Sequence, residues 1–229
     1  MTFKLSLCAG LWALCAAAAG PALAARPFNT EDAGVLSAGE CEWDNAVVRN
    51  QGSDSSAQQS TQLGCGWGER HQFNMALGRA RISGLQHHVG ALSGKTRLWG
   101  DEDSTRFSVA WTAYWDPEKT TGGKPHATTA LLVLTHPVAE SWQVHAHVGR
   151  LRDNDDRQNR TLWSVAAEHQ FSERWHAGLE LYNEGQGQPW WGLGTQWRLN
   201  ERWTVNALAA QRTGASSQRL FTAGFKLEF

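Results

Sequence analysis

The sequence predicts an all-β fold: a transmembrane antiparallel up-and-down β-barrel of about 12 strands with short periplasmic turns and longer extracellular loops. Three observations carry this expectation. Apolar and polar side chains alternate with period 2 along most of the chain, as they do in strands with one greasy and one polar face. Short polar turns and longer polar loops punctuate that alternation in turn. Trp142, Trp175 and Trp203 each open a strand directly after a short turn, the placement expected at a bilayer interface, where an apolar ring can carry a wet N–H. A water-soluble sandwich accounts for the alternation but has no reason to set Trp at matched heights.

The chain begins with a secretory pattern over residues 1–24: Lys4, an apolar run from Leu5 to Ala19, and Ala22-Leu23-Ala24 before Ala25. That run is too short for a membrane-spanning helix, and no later stretch approaches about 20 apolar residues. The sequence therefore implies an exported chain without a transmembrane helix. A formal net charge of −1 gives no basic excess to call for nucleic acid. Thirteen Trp are unusual for 229 residues; Trp12 goes with the secretory segment, and the other twelve need a home such as a membrane interface.

Ala25 to Gly39 lacks alternation and carries Pro, Asn, Asp and Gly, so it reads as a non-strand segment, periplasmic or lumen-facing, ahead of a barrel over residues 40–229. The first strand sets Cys41, Trp43 and Val47 against Glu42 and Asp44. The second sets Leu63, Cys65 and Trp67 against Gln62, Gly64 and Gly66. If Glu40 to Asn50 and Ser60 to Trp67 form a hairpin, Cys41 lies opposite Cys65, Trp43 opposite Leu63 and Asn45 opposite Thr61. A cross-strand disulfide and two free thiols both fit that register.

After Gly68-Glu69-Arg70, Phe73, Met75 and Leu77 mark a third greasy face. The fourth strand, about His88 to Trp99, is less regular, with Leu92 and Leu98 on one face and Lys95 and Arg97 on the other. Phe107 to Trp115 alternates cleanly; His126 to Thr135 is apolar with ambiguous faces. Trp142, Trp163, Trp175, Trp191 and Trp203 then lead the greasy faces of five more strands. Gln51 to Gln59, Asp116 to Pro125 and Arg152 to Asn159 are the longer loops; Pro137 to Ser141, Ser172 to Arg174 and Asn200 to Arg202 are short turns.

The last stretch, Gln218 to Phe229, puts Phe221, Ala223, Phe225, Leu227 and Phe229 on one face and Thr222, Gly224, Lys226 and Glu228 on the other. It resembles the closing strand of bacterial outer-membrane barrels, a resemblance that includes Phe229 as the signal read by the barrel-assembly machinery. The opening Arg26 to Gly34, RPFNTEDAG, resembles the family of outer-membrane transporters named after the meta-pathway of phenol degradation. The sharp likeness is confined to residues 26–34, and the chain is short for that family. The resemblance implies a membrane barrel that passes hydrophobic or aromatic compounds, and it transfers no catalytic or binding residues.

In a barrel the polar faces look inward, which makes Glu42, Asp44, Lys95, Arg97, His145, His147, Glu168, His176, Glu180, Arg198, Lys226 and Glu228 lumen-lining candidates. Both signs are present, so cross-lumen pairing of a filled interior stands beside a polar conduit. His145 and His147 share a face at i and i+2, but nothing fixes a third ligand, and no metal or cofactor is expected. Asp153, Asp155 and Asp156 read as a solvated acidic loop rather than a Ca²⁺ site. Arg26, Glu31 and Asp32 carry the charge with which the N-terminal segment would plug the periplasmic mouth.

The function expected is that of a bacterial outer-membrane channel or transporter for small solutes, hydrophobic or aromatic ones included. Its partners are then outer-membrane lipid, lipopolysaccharide, the barrel-assembly machinery and the solute. The rival is a structural or adhesion barrel without conductance. A lipid hydrolase fits less well, because no nucleophile and base stand together on the outward faces.

Overall fold

The computed structural model describes residues 27–52, 55–82, 84–101, 103–116, 124–185, 187–214 and 218–229; the expected signal segment and Arg26 lie outside them. The twelve strands are β1 (Cys41–Gln51), β2 (Ser56–Trp67), β3 (His71–Ile82), β4 (Leu85–Trp99), β5 (Arg106–Trp115), β6 (Ala127–Ala139), β7 (Trp142–Asp153), β8 (Gln158–Ser172), β9 (Trp175–Asn183), β10 (Trp190–Arg198), β11 (Trp203–Arg212) and β12 (Arg219–Glu228). Each pairs antiparallel with its neighbours in sequence, and β12 returns to pair with β1, which closes the barrel. At the seam, Cys41 and Phe229 exchange backbone hydrogen bonds of 2.8 and 2.9 Å. Closure leaves no unpaired strand edge, the condition for β-structure in hydrocarbon. No helix among the described residues is long and apolar enough to cross a membrane.

The two faces sort as the alternation requires. Trp43, Val47, Phe73, Met75, Leu77, Leu132 and Leu193 are exposed on the outer wall, while Asp44, Lys95, Ser108, Thr135, His145 and Glu180 are buried inside. The β1–β2 register places Cys41 opposite Cys65, Trp43 opposite Leu63 and Asn45 opposite Thr61, as the hairpin reading expects. Cys41 and Cys65 are disulfide-bonded, with their Cα atoms 4.1 Å apart.

β6 resolves the ambiguous stretch: Thr129, Val133 and Thr135 are buried inward and Leu132 and Val138 are exposed outward. In β4 a bulge between Arg97 and Trp99 puts both Leu98 and Trp99 on the outside. Several strands run further than their apolar stretches. β2 begins at Ser56, β7 runs to Asp153 and β8 starts at Gln158, so the links there shrink to 52–55 and 154–157. β6 runs to Ala139, which leaves only Glu140 and Ser141 before β7. Residues polar on both faces read as loop in the sequence, but a barrel wall continues past the apolar band into water.

Both ends of the barrel chain lie at one end of the cylinder, with the turns after β2, β4, β6, β8 and β10; the links after the odd-numbered strands form the other end, called here the loop end. Aromatic side chains ring the turn end. Trp142, His169, Phe171, Trp175 and Trp197 follow one another at centroid distances of 4.5, 4.5, 4.4 and 6.3 Å. Trp203–Phe225–Trp43 continues the belt at 5.5 and 5.8 Å, and Trp67–Phe73 and Trp99–Phe107 extend it. Trp142, Trp175 and Trp203 thus share one interface height.

Candidate lumen site

The N-terminal segment lies inside the barrel over residues 27–36, with 37–39 exposed at the turn end, and makes the site. With no ladder of its own, its backbone must find partners on the wall, and the inward faces of β3 to β9 supply them. Thr30 donates from both its backbone N and its Oγ1 to Glu180 Oε2, each at 2.9 Å, and Asn29 Nδ2 donates to Glu180 Oε1 at 3.1 Å. Thr30 also hydrogen-bonds Ser164. Glu31 N donates to His147 Nδ1 at 3.1 Å, Ala33 N to Thr135 Oγ1 at 2.9 Å and Leu36 N to Gln72 Oε1 at 3.1 Å. Ser108 Oγ donates to Ala33 O at 2.6 Å.

One buried contact is ionic. Lys95 Nζ stands 2.6 Å from Glu31 Oε1 with both side chains 4% exposed, and donates to Asp32 O at 3.0 Å. A buried ion pair adds little net stability, but removing one partner strands the other charge. Packing adds specificity at the tip. Phe28 is buried against the β9–β10 wall at Gly178 and Gly194, where a Cβ would stand 2.9 Å and 2.8 Å from the ring. At Gly194 a Cβ would also collide with Pro27 O, and at Gly66 with Ser37 O. These glycines leave room for the segment to lie against the wall.

The lumen candidates fall into distinct groups. Glu168 accepts from His145 Nε2 at 3.1 Å, His176 Nδ1 at 3.1 Å and Gln196 Nε2 at 3.3 Å, and His145 is joined through Nδ1 to Thr135 Oγ1 at 3.0 Å. His145 and His147 share a face yet serve separate partners. Glu42 accepts from Gln72 Nε2 at 3.0 Å, and Lys226 lies 3.8 Å from Glu42 and 2.5 Å from Glu228. Asp44 is buried beside them, opposite Lys226 in the β1–β12 register. Arg97 and Arg198 sit at the turn-end mouth instead of deep in the lumen: Arg97 Nη2 donates to Glu69 O at 2.9 Å, and Arg198 is exposed. Asp153 caps its own turn, accepting from the backbone N of Asp155 and Asp156 at 3.0 and 3.1 Å.

Sequence reasoning missed Gln72, Ser108, Thr135 and Ser164, the neutral partners of the segment. Their inward parity was readable, but an uncharged side chain on a polar face gives no further signal. It also missed the loop-end pair of Tyr182 and Trp190, both buried with ring centroids 6.1 Å apart and planes within 6°. Arg212 stands 5.5 Å over the Trp190 ring, held by Gln188 O at 3.2 Å and Gln218 Oε1 at 2.7 Å. Beside it, Glu184 lies outside the strands, and burial of its carboxyl pushes its pKa up to about 7, against the opposing pull of Arg212.

The family described as uncharacterised conserved protein UCP029691 matches residues 9–229. The chain belongs to that family. No curated protein matches it by sequence. Among solved structures, it is similar to the COG4313 outer membrane channel from Pseudomonas putida F1, with a TM-score of 0.68, 10% identity, and 86% of this chain and 98% of that one covered. It is similar to the KdgM porin, with a TM-score of 0.64, 8% identity and coverage of 83% and 99%, a protein also solved in complex with disordered oligogalacturonate. The NanC porin aligns with a TM-score of 0.58, 8% identity and coverage of 82% and 98%. At such identities the likeness is one of fold: the family's chain shares the twelve-stranded closed barrel of outer-membrane channels.

Proposed function

We propose that the protein is an outer-membrane channel for small solutes whose lumen is narrowed and gated by its own N-terminal segment. The observation that carries this is the Lys95–Glu31 pair, which ties a non-strand segment into a closed barrel with a polar, charged interior. The segment's bonds to wall side chains go to β3 to β9, its tip packs on β10 and its exit lies on β2; the solute path runs along the remaining wall, past Asp44, Asn206 and Lys226. The turn end, where the segment enters, faces the periplasm, and the loop end faces out. The resemblance of Arg26 to Gly34 to the phenol-degradation transporters supports hydrophobic or aromatic solutes. The stacked Tyr182 and Trp190 at the loop end support the same class.

The depth to which the segment is buried, with Glu31 3% and Ala33 0% exposed, favours a second reading: a closed barrel with a structural or adhesive role. Single-channel recording in planar bilayers separates the two. A gated channel gives small steps that phenolic solutes suppress and that enlarge when residues 27–36 are deleted. A barrel that stays silent with and without the segment overturns the channel reading.

A further inference from the structure

The charges of the wall are sorted with unusual strictness. Every carboxylate and both lysines of the strands occupy inward positions, whereas six arginines, Arg49, Arg79, Arg81, Arg150, Arg152 and Arg219, are exposed on the outer face. Their outward parity follows from Trp43 and Val47 on β1, Phe73 to Leu77 on β3, Trp142 and Val148 on β7 and Phe221 on β12, all exposed on the same faces. All six lie toward the loop end, directly beyond the apolar band. At the turn end the corresponding outward positions are the aromatic belt and histidines such as His71 and His169.

The arginines also cluster. The registers set Ala57 opposite both Arg49 and Arg81, so those two guanidinium groups flank one residue in a single row across β1, β2 and β3. Two strand spacings put their backbones roughly 10 Å apart. Arg219, paired with Gln51, stands at the next position along the seam, and Arg79 donates Nε and Nη2 to Gln59 Oε1 at 3.2 and 2.8 Å. None of the six forms an ion pair with a carboxylate among the described residues. Like charges in one row repel, and a cluster of arginines with no acid on its face is matched by an external anion.

We propose that this belt binds the phosphate groups of lipopolysaccharide in the outer leaflet, with the β12–β1–β3 row as the principal site and Arg150 and Arg152 on β7 as a second. Guanidinium groups at the border of hydrocarbon and water meet phosphates in bidentate geometry, and Arg suits this better than Lys. The one-sidedness selects the lipid. At the turn end the exposed Arg70, Arg174 and Arg202 lie in the turns, each directly after a glutamate, Glu69, Glu173 and Glu201. Arginine without an acid beside it on the outward strand faces is therefore confined to the loop end, where it calls for a headgroup dense in phosphate in that leaflet. The inference rests on the barrel spanning the membrane with its loop end outward, and not on conduction.

The test uses the full refolded chain in neutral detergent micelles, titrated with purified lipopolysaccharide while the melting temperature is followed. Lipopolysaccharide raises the melting temperature, dephosphorylated lipopolysaccharide does not, and phosphatidylglycerol is at least tenfold less effective by concentration. The R49Q/R79Q/R81Q/R219Q variant weakens the apparent affinity on the order of tenfold or more, in keeping with loss of charge-assisted bonds, while its single-channel conductance stays that of the parent. Equal shifts with dephosphorylated lipid or with phosphatidylglycerol overturn the proposal. So does an unchanged affinity in the variant. The two lipid controls need only the parent protein, so they decide the matter even if the variant does not refold.

Discussion

Lys95 on β4 and Glu31 on the N-terminal segment meet at 2.6 Å in the lumen, where each side chain is 4% exposed. Sixty-four residues separate them, and no backbone ladder links them. Lys95→Met removes the ammonium 2.6 Å from the buried Glu31, a loss of up to about 3–5 kcal/mol if the segment stays docked. The segment avoids that cost by leaving the lumen. Expected outcomes are larger single-channel steps and faster proteolysis within residues 27–39, and partial restoration of both in the Lys95→Met/Glu31→Gln double variant. Unchanged steps in the single variant would show that the pair does not hold the gate.

Gly194 offers a route to the same state without touching charge. Its missing side chain makes room for Pro27 O and the Phe28 ring. Gly194→Val, on the lumen face of β10, should expel the tip and reproduce the enlarged steps. Phe28→Ala should weaken docking by up to about 3 kcal/mol, at the lower end of the range for a buried Phe. Recording both variants beside the parent checks the packing account independently of the ion pair.

The Cys41–Cys65 bond ties β1 to β2 beside the seam where Phe229 meets Cys41, and it spans 24 residues of chain. Closing a loop of that length in the unfolded chain is worth about 3 kcal/mol in the chain-entropy account. Cys41→Ala/Cys65→Ala should lower the urea midpoint accordingly while leaving heat-modifiable gel migration, the mark of a closed barrel, in place. Reduction of the parent should give the same midpoint as the double variant.

Glu184, between β9 and β10, titrates well above an ordinary carboxyl. The folded protein holds its proton up to about pH 7, whereas the unfolded chain releases it near 4.5. Its contribution to stability is therefore fully present below the unfolded value and is lost as pH rises through that window. Glu184→Gln should match the parent at pH 4 and exceed it in stability at pH 8. Urea unfolding at several pH values measures this directly; parallel pH curves for the two proteins would refute it.

Glu168 gathers His145, His176 and Gln196 around one carboxylate. Glu168→Leu strands these donors on the lumen wall and should cost about 3 kcal/mol or more, whereas Glu168→Gln, which keeps an acceptor, should cost less. The order of the two urea midpoints is the test.

Much of the wall was legible because alternation is a local property. Trp43, Leu63, Phe73 and Trp203 declare their face through their immediate neighbours, and the short polar turns fix which strands pair. Where local signal fails, so does the reading. His126 to Thr135 has apolar residues on both faces because Leu131 and Val133 help to fill the interior, and Leu98 looks regular until a bulge adds a residue. Ser56 to Gln59 and Gln158 read as loop because the wall above the apolar band meets water on both sides. The arginines of that zone were invisible as a group, since Arg49, Arg81 and Arg219 come together only through register.

The sequence by itself determined a closed β-barrel of about twelve strands, the facing of nearly every strand and the register that sets Cys41 opposite Cys65, because period-2 alternation and turn chemistry act between near neighbours; that the two cysteines are bonded is decided by the tertiary structure. Only the tertiary structure decided that Glu31 meets Lys95, that Phe28 rests on Gly178 and Gly194, and that six arginines form one belt. Those contacts join positions far apart in the chain, and closure of the cylinder brings them within reach.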